Sequence, residues 1–212
     1  MTLFTITQWI AVASFLFCAA AFLEMWRRMQ RRSYAIDRSV PKDSAARGIL
    51  YAFTTGMAPW AKESTRLHII GYLRGVLFHL GIFAGLAVLL LSPWMGSISD
   101  SVRWSAAALT FVGAIMGIVG AIQRLTDRNL RTLSTPDDHF SVWLVSIVLL
   151  LASIAAVSSD WLPVFYGVSS ILLVYAPASK IRHCIFVYFS RLFYGIHIGR
   201  RGIVRGLEEH HA

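Results

Sequence analysis

The chain has 212 residues, 56% of them hydrophobic and 15% charged, with a mean hydropathy of +0.60. Soluble domains carry about a quarter charged residues, so this composition excludes an ordinary soluble enzyme and points to an integral membrane protein. The expected fold is all-α, a single membrane domain over residues 1–212. A formal net charge of +9 is compatible with nucleic acid, but its distribution along the chain decides against that.

Five apolar runs separate the charged stretches. They cover residues 3–26, 69–91, 104–122, 140–157 and 161–183, each close to the length of about 20 residues that spans a bilayer. The first run has no basic segment before it and no clear small-residue cleavage site after it, so it reads as a retained transmembrane helix. The loop that follows carries Arg27, Arg28, Arg31, Arg32, Arg38, Lys42, Arg47, Lys62 and Arg66.

The second run contains His79, embedded in Leu77-Phe78-His79-Leu80-Gly81-Ile82. An imidazole in hydrocarbon is costly unless its nitrogens are occupied. Arg74 lies five residues earlier; it either snorkels to the membrane surface or pairs with a buried anion such as a haem propionate. Gly81 and Gly85 follow one turn apart, and Gly113, Gly117 and Ala121 form a second small-residue stripe in run three. Such stripes admit a neighbouring helix or a flat macrocycle. Beside His79 the macrocycle is favoured, and in run three helix packing.

The loop after run three carries Arg124, Arg128 and Arg131. Arg131 is either a topology charge or a second propionate partner. Ser134-Thr135-Pro136-Asp137-Asp138 then reads as a helix start, with acidic residues at the positive dipole end.

Run five contains Pro177, which should kink it shortly before His183; the helix is open to continuation as far as Tyr194, leaving 195–212 as a tail. Arg191 and, in the tail, Arg200, Arg201 and Arg205 follow run five, whereas the two remaining loops hold one basic residue, Arg103. This alternation predicts the N-terminus outside and the C-terminus cytoplasmic. It assigns the net charge to topology, with no nucleic-acid partner and a basic face able to receive an acidic one. Trp94, Trp104 and Trp161 flank the outer ends of spans, as an aromatic belt does.

Two histidines, His79 and His183, on two membrane helices suggest one shared ligand. Haem iron with an imidazole on each face is the strongest candidate. His68, His139 and His197 read as interfacial. The spacing of His68 from His79 is about 16 Å along a helix, and that of His183 from His197 about 21 Å. A second haem between His68 and His197 is therefore geometrically admissible. His210 and His211 lie in the polar tail. No Cys-x-x-Cys-His sequence occurs, which excludes c-type attachment by that route. Cys18 and Cys184 are too few for an iron–sulfur centre.

Together these residues resemble the membrane cytochrome b family of the respiratory nitrate reductase gamma subunit. The stretches that carry the resemblance are Leu77 to Ile82, Arg131-Thr132-Leu133-Ser134-Thr135-Pro136-Asp137-Asp138, and Pro177-Ala178-Ser179-Lys180-Ile181-Arg182-His183. The stretch from Pro59 to His68 is nearer the heterodisulfide-reductase-like branch found in sulfate-reducer electron-transfer complexes. The resemblance implies a bacterial or archaeal cytoplasmic membrane and a b haem on His79 and His183. The family's outer ligands fall near Leu89 and Phe165 here, and neither side chain binds iron. One haem b is therefore expected rather than two.

The implied partners are a cytoplasmic iron–sulfur subunit related to heterodisulfide reductase, other membrane subunits of the complex and the bilayer. The implied donor or acceptor pool is quinone, with menaquinone a candidate. The family's quinone site adjoins the outer haem, which leaves its place in this chain open. On this reading the chain is an electron-transfer subunit without bond-making chemistry of its own. The alternative is a haem-free membrane anchor that docks an iron–sulfur subunit, with or without quinone. A solute transporter predicts polar residues near the midplane of several spans, and the sequence offers few.

Overall fold

The computed structural model describes residues 2–34, 37–61 and 63–204. The described residues form helices and turns and no strand. The α-helices are α1 (Leu3–Gln30), α2 (Ala45–Phe53), α3 (Glu63–Leu67), α4 (Ile69–Leu91), α5 (Asp100–Thr126), α6 (Arg128–Leu133), α7 (Pro136–Val157), α8 (Leu162–Tyr175) and α9 (His183–Arg200). Five helical stretches are long and apolar enough to cross a membrane: Leu3–Gln30, Ile69–Ser97, Asp100–Thr126, Pro136–Val157 and Ser159–Ala178. The expected number of membrane-length apolar stretches is therefore present among the described residues.

Several boundaries differ from expectation: α5 extends four residues beyond 104–122 at each end, and α7 starts four residues before 140. α1 runs on to Gln30 through the first arginines, because Glu, Met, Arg and Gln are good helix formers and Glu24 pairs with Arg28 one turn away at 2.8 Å. The fifth span is shorter than 161–183. It breaks at Pro177 into 3₁₀ turns over Ala176–Ala178 and Lys180–Arg182, and a separate helix starts at His183. Pro177 lacks the N–H that a continuing α-helix needs, and its ring clashes with the preceding turn. The expected kink is a full interruption.

The chain divides into two compact units, Met1–Ala21 with Ile70–Ile181, and Phe22–Ile69 with Arg182–Ala212. In the first, α7 is the hub: half of its apolar window is buried, the largest share of the five. The core there is built largely from small residues, with Ala107, Ala114, Ala152 and Ala156 all buried, while Phe83 and Leu90 stand exposed. That distribution suits a bundle whose outside is hydrocarbon and whose inside is close backbone packing.

Arg103 has a structural use that the sequence pattern hid. Its Nε and one terminal nitrogen donate to the carbonyls of Ala156 and Val157, both at 2.9 Å, and the other terminal nitrogen meets Asp100 at 3.1 Å. The last carbonyls of α7 have no partners within their own helix, and a guanidinium at that end also complements the dipole.

In the second unit α2 crosses α9 through glycines. A Cβ on Gly48 would sit 2.5 Å from the Cα of Gly199, and one on Gly195 2.7 Å from the Cα of Ile49. Around this crossing the Lys42 amide donates to the Arg200 carbonyl at 2.7 Å. Arg201 pairs with Asp37 at 3.2 Å. Hydrogen bonds from Ser39, reinforced by Arg201, hold the Asp37 carboxyl at about 2.

Three substitutions check this packing by unfolding in mixed detergent. Arg103→Ala should destabilise by about 1.5–3 kcal/mol, the range for hydrogen bonds to a charged group. Gly113→Val should cost about 1–3 kcal/mol or more by overpacking. Gly71→Ala, where an added Cβ meets nothing within 4 Å, should be neutral or stabilise by up to about 1 kcal/mol.

Candidate functional site

Arg74, Phe78, Gly81 and Gly85 are spaced four, three and four residues apart, which places them on one face of α4. That face is packed against α5 and α7. A Cβ on Gly81 would lie 2.6 Å from the Cα of Gly113, and one on Gly85 2.7 Å from Leu149 Cδ2. Gly117 is covered by Ser146 and by the Phe78 ring, which an added Cβ would meet at 2.5 Å. The glycines beside His79 are therefore spent on helix contact. The expectation that Gly81 and Gly85 form a flat wall for a macrocycle is corrected: the space is filled by α5 and by a leucine. The packing role expected for Gly113, Gly117 and Ala121 is what the structure has.

His79 sits one position round the helix from Phe78 and is exposed. Its Nδ1 lies 2.7 Å from the Gly75 carbonyl. A carbonyl only accepts, so Nδ1 carries the hydrogen and the ring's lone pair is on Nε2. This is the arrangement by which a backbone carbonyl fixes the tautomer and orientation of a ligating histidine.

Arg74 is half-buried, and its Nε lies 3.5 Å from where a Cβ on Gly120 would be. The absence of a side chain at Gly120 leaves the guanidinium its place against α5. Among the described residues Arg74 has no ion pair and no side-chain hydrogen bond.

Arg131 lies on α6, exposed, in a turn organised by Asp127, whose carboxylate caps Asn129 and Leu130 at 2.8 and 3.0 Å. No hydrogen bond or ion pair joins Arg131 to Arg74 or His79 among the described residues. His183 opens α9 in the second unit. Its expected position near the end of the fifth span is corrected, since Pro177 ends that span first.

His197, on the same helix, repeats the pattern of His79. Its Nδ1 donates to the Phe193 carbonyl at 2.8 Å, and its ring lies 4.0 Å from that of Phe193. His68 is exposed in the turn between α3 and α4. Among the described residues no hydrogen bond or ring contact links His68 to His197. The His139 Nδ1 is buried without a hydrogen-bond partner. Lys62, Arg205, His210 and His211 lie outside the described residues.

Around Leu89 and Phe165 the first unit is closed. Phe165 is 0% exposed, and Leu89 packs against the same cluster as Val88, Ala155 and Tyr166. The Tyr166 hydroxyl donates to Ser92 Oγ at 2.8 Å across this core, which satisfies its one buried polar tip.

A cluster that sequence reasoning missed lies at the start of α7. Asp137 accepts from the Tyr175 hydroxyl and, at 2.9 Å, from the Lys180 amide. Ser141 lies 3.1 Å from the same hydroxyl. The Asp138 carboxylate accepts from the Thr135 amide at 2.8 Å and from Lys180 Nζ at 2.5 Å. The expected helix-start role of these aspartates holds; Asp137 also reaches the chain on both sides of Pro177, and Asp138 reaches Lys180 beyond it. Two of the stretches that carry the family resemblance are thus bonded to one another.

Among the described residues no group of three or more His, Cys, Asp or Glu converges as a metal ion held by protein alone would require. Axial haem ligation needs no such group. No protein-family model, curated protein or solved structure matches the chain.

The aspartate cluster has a measurable cost of removal. Asp137→Ala should lose about 1–3 kcal/mol, since it removes the carboxylate that accepts from both the Tyr175 hydroxyl and the Lys180 amide, whereas Tyr175→Phe, which removes only one of these bonds, should lose about 1 kcal/mol. Denaturation of the two variants in mixed detergent checks the ranking.

Proposed function

We propose that this chain is the b-type cytochrome subunit of a membrane-bound respiratory redox complex, of the membrane cytochrome b kind that its sequence resembles. It would stand with its N-terminus outside and its C-terminus cytoplasmic. His79 and His183 would hold one haem b, and the haem supplies reversible one-electron exchange. Electrons would pass between a quinone pool, menaquinone being a candidate, or another membrane donor, and a cytoplasmic iron–sulfur subunit related to heterodisulfide reductase.

The observation that carries this reading is the geometry of His79. A histidine in an apolar, membrane-length helix is turned off the packed face, and its Nδ1–H is tied to the Gly75 carbonyl at 2.7 Å. That bond presents Nε2 as the nucleophilic nitrogen and holds the ring against rotation, which is how a protein prepares a metal-binding imidazole. Arg74 supports the reading from the same helix. A half-buried guanidinium with no carboxylate partner among the described residues is a ready counter-charge for a propionate. Arg131 stays a second propionate candidate on its loop.

The filled core around Leu89 and Phe165 favours a single haem. His68 and His197 would be the only remaining histidine pair for a second, and His68 lies exposed in a turn. The protein's contribution to electron transfer is therefore ligation, charge compensation and burial.

A reduced-minus-oxidised spectrum of the complex purified from native membranes tests this. The expected result is a b-type band that disappears or turns high-spin in His79→Ala and in His183→Ala. A band that survives His79→Ala unchanged would sink the ligand assignment, and a chain purified without any b-type band would favour the haem-free anchor. Arg74→Gln should keep the band and lower its midpoint potential by roughly 59 mV if the preference for the reduced form drops tenfold.

A further inference from the structure

Between the end of α8 at Tyr175 and the start of α9 at His183 the chain holds only 3₁₀ turns, over Ala176–Ala178 and Lys180–Arg182. Such turns have poorer hydrogen bonds than an α-helix, so a break of this kind is a hinge unless other side chains hold it. Here α7 holds it. One carboxylate oxygen of Asp137 accepts from the Tyr175 hydroxyl, and the other accepts from the Lys180 amide at 2.9 Å. Asp138 receives Lys180 Nζ at 2.5 Å.

The residues on either side of Lys180 are tied as well. Ser179, 2% exposed, donates to the Ala176 carbonyl at 3.0 Å and accepts from the Ile181 amide at 3.1 Å. The Ile181 side chain packs against the cluster of Ala114, Val145 and Leu149. These bonds exceed what the start of α7 needs. Asp138 closes that end by accepting from the Thr135 amide at 2.8 Å, whereas Asp137 turns to residues 38 and 43 positions further along the chain.

We propose that Asp137, with Lys180 and Ser179, is a positioning group for His183, a role that rests on the reading of His183 as a haem ligand. His183 follows Ile181 by two residues, a reach of about 7 Å at full extension. A firm hold on Ile181 therefore limits where the imidazole can go. A working site needs its groups held to within about 0.5 Å. A ligand at the first residue of a helix receives little of that from the helix itself, whose first N–H groups have no partner within it. The hold comes instead from α7.

The first test reads the hold without haem. In the full-length chain with Cys18→Ala, reconstituted in vesicles, a nitroxide is placed on Cys184, which is exposed and adjoins His183. The mobile part of its spectrum should grow at least about fivefold in Asp137→Ala, as the loss of even one net hydrogen bond implies. Asp137→Asn should stay close to wild type, because its amide oxygen still accepts from the Lys180 amide and its N–H can donate to the Tyr175 hydroxyl. Arg103→Ala, which loosens the other end of α7, should leave the label unchanged. An unchanged label in Asp137→Ala, or equal mobility in Arg103→Ala, would overturn the proposal. Should Asp137→Ala fail to accumulate, Lys180→Met removes a side chain that is 51% exposed; it should mobilise the label in the same direction, and no change would overturn the proposal.

The second test reads the haem, in the complex purified from native membranes. Low-spin b-type absorption should give way in part to a high-spin band in Asp137→Ala and return in Asp137→Asn. A haem that stays fully low-spin while the label is mobilised would remove the positioning role and leave the ligand reading intact. A wild-type complex without haem on this chain would overturn both.

Discussion

Gly81 of α4 and Gly113 of α5 meet backbone to backbone, with no room for a Cβ on either. In a bundle surrounded by hydrocarbon, apolar side chains gain little by leaving lipid for protein, so close backbone approach and van der Waals contact carry the association. That single crossing sets the rotation of α4. It turns Phe78 and Gly85 inward with it, lays Arg74 along Gly120, and leaves His79 off the packed face with its Nδ1 bonded to Gly75. The candidate ligand owes its direction to a contact made two residues further along the helix.

At the ends of the first unit most buried polar groups are matched, as is usual in folded proteins, His139 Nδ1 being an exception. Arg103 closes the C-terminal end of α7 by taking two of its last carbonyls. At the other end, Asp137 and Asp138 cap α7 and also bind Tyr175 and Lys180 across the break made by Pro177. Between these ends lies the core of Phe165, Tyr166 and Leu89. One end of the unit is filled by close-packed side chains, while His79 and Arg74 lie nearer the end bearing the aspartates. This asymmetry agrees with the proposal of one haem rather than a stack of two.

Much of the fold was legible because apolar runs of membrane length and the charges between them are local signals. The second span was expected at 69–91, and α4 has those bounds. What stayed hidden depends on separations of many residues. Arg103 looked like the lone exception to the charge pattern, because its acceptors lie 53 and 54 residues away. The link from Asp137 to Lys180 spans 43 residues and no periodicity announces it.

Gly81 and Gly85 were misread for a related reason. A glycine pair states that something comes close to the backbone, and only the fold says whether that is a helix or a ligand. Pro177 was recognised, but a sequence does not distinguish a kink from a break, and the difference moved His183 from the end of one helix to the start of the next. His79 and Arg74 could be picked out because a titratable group in an apolar run is conspicuous at any distance from its partners.

The central claim is a count, and haem stoichiometry tests it most directly. The complex is purified from native membranes, protohaem is quantified as its pyridine haemochrome, and this chain is quantified in the same sample by amino-acid analysis. After subtraction of haem bound to any other subunit, the account predicts one haem b per chain. A value of zero would contradict the cytochrome reading, and a value of two would contradict the single-haem architecture argued from Leu89 and Phe165.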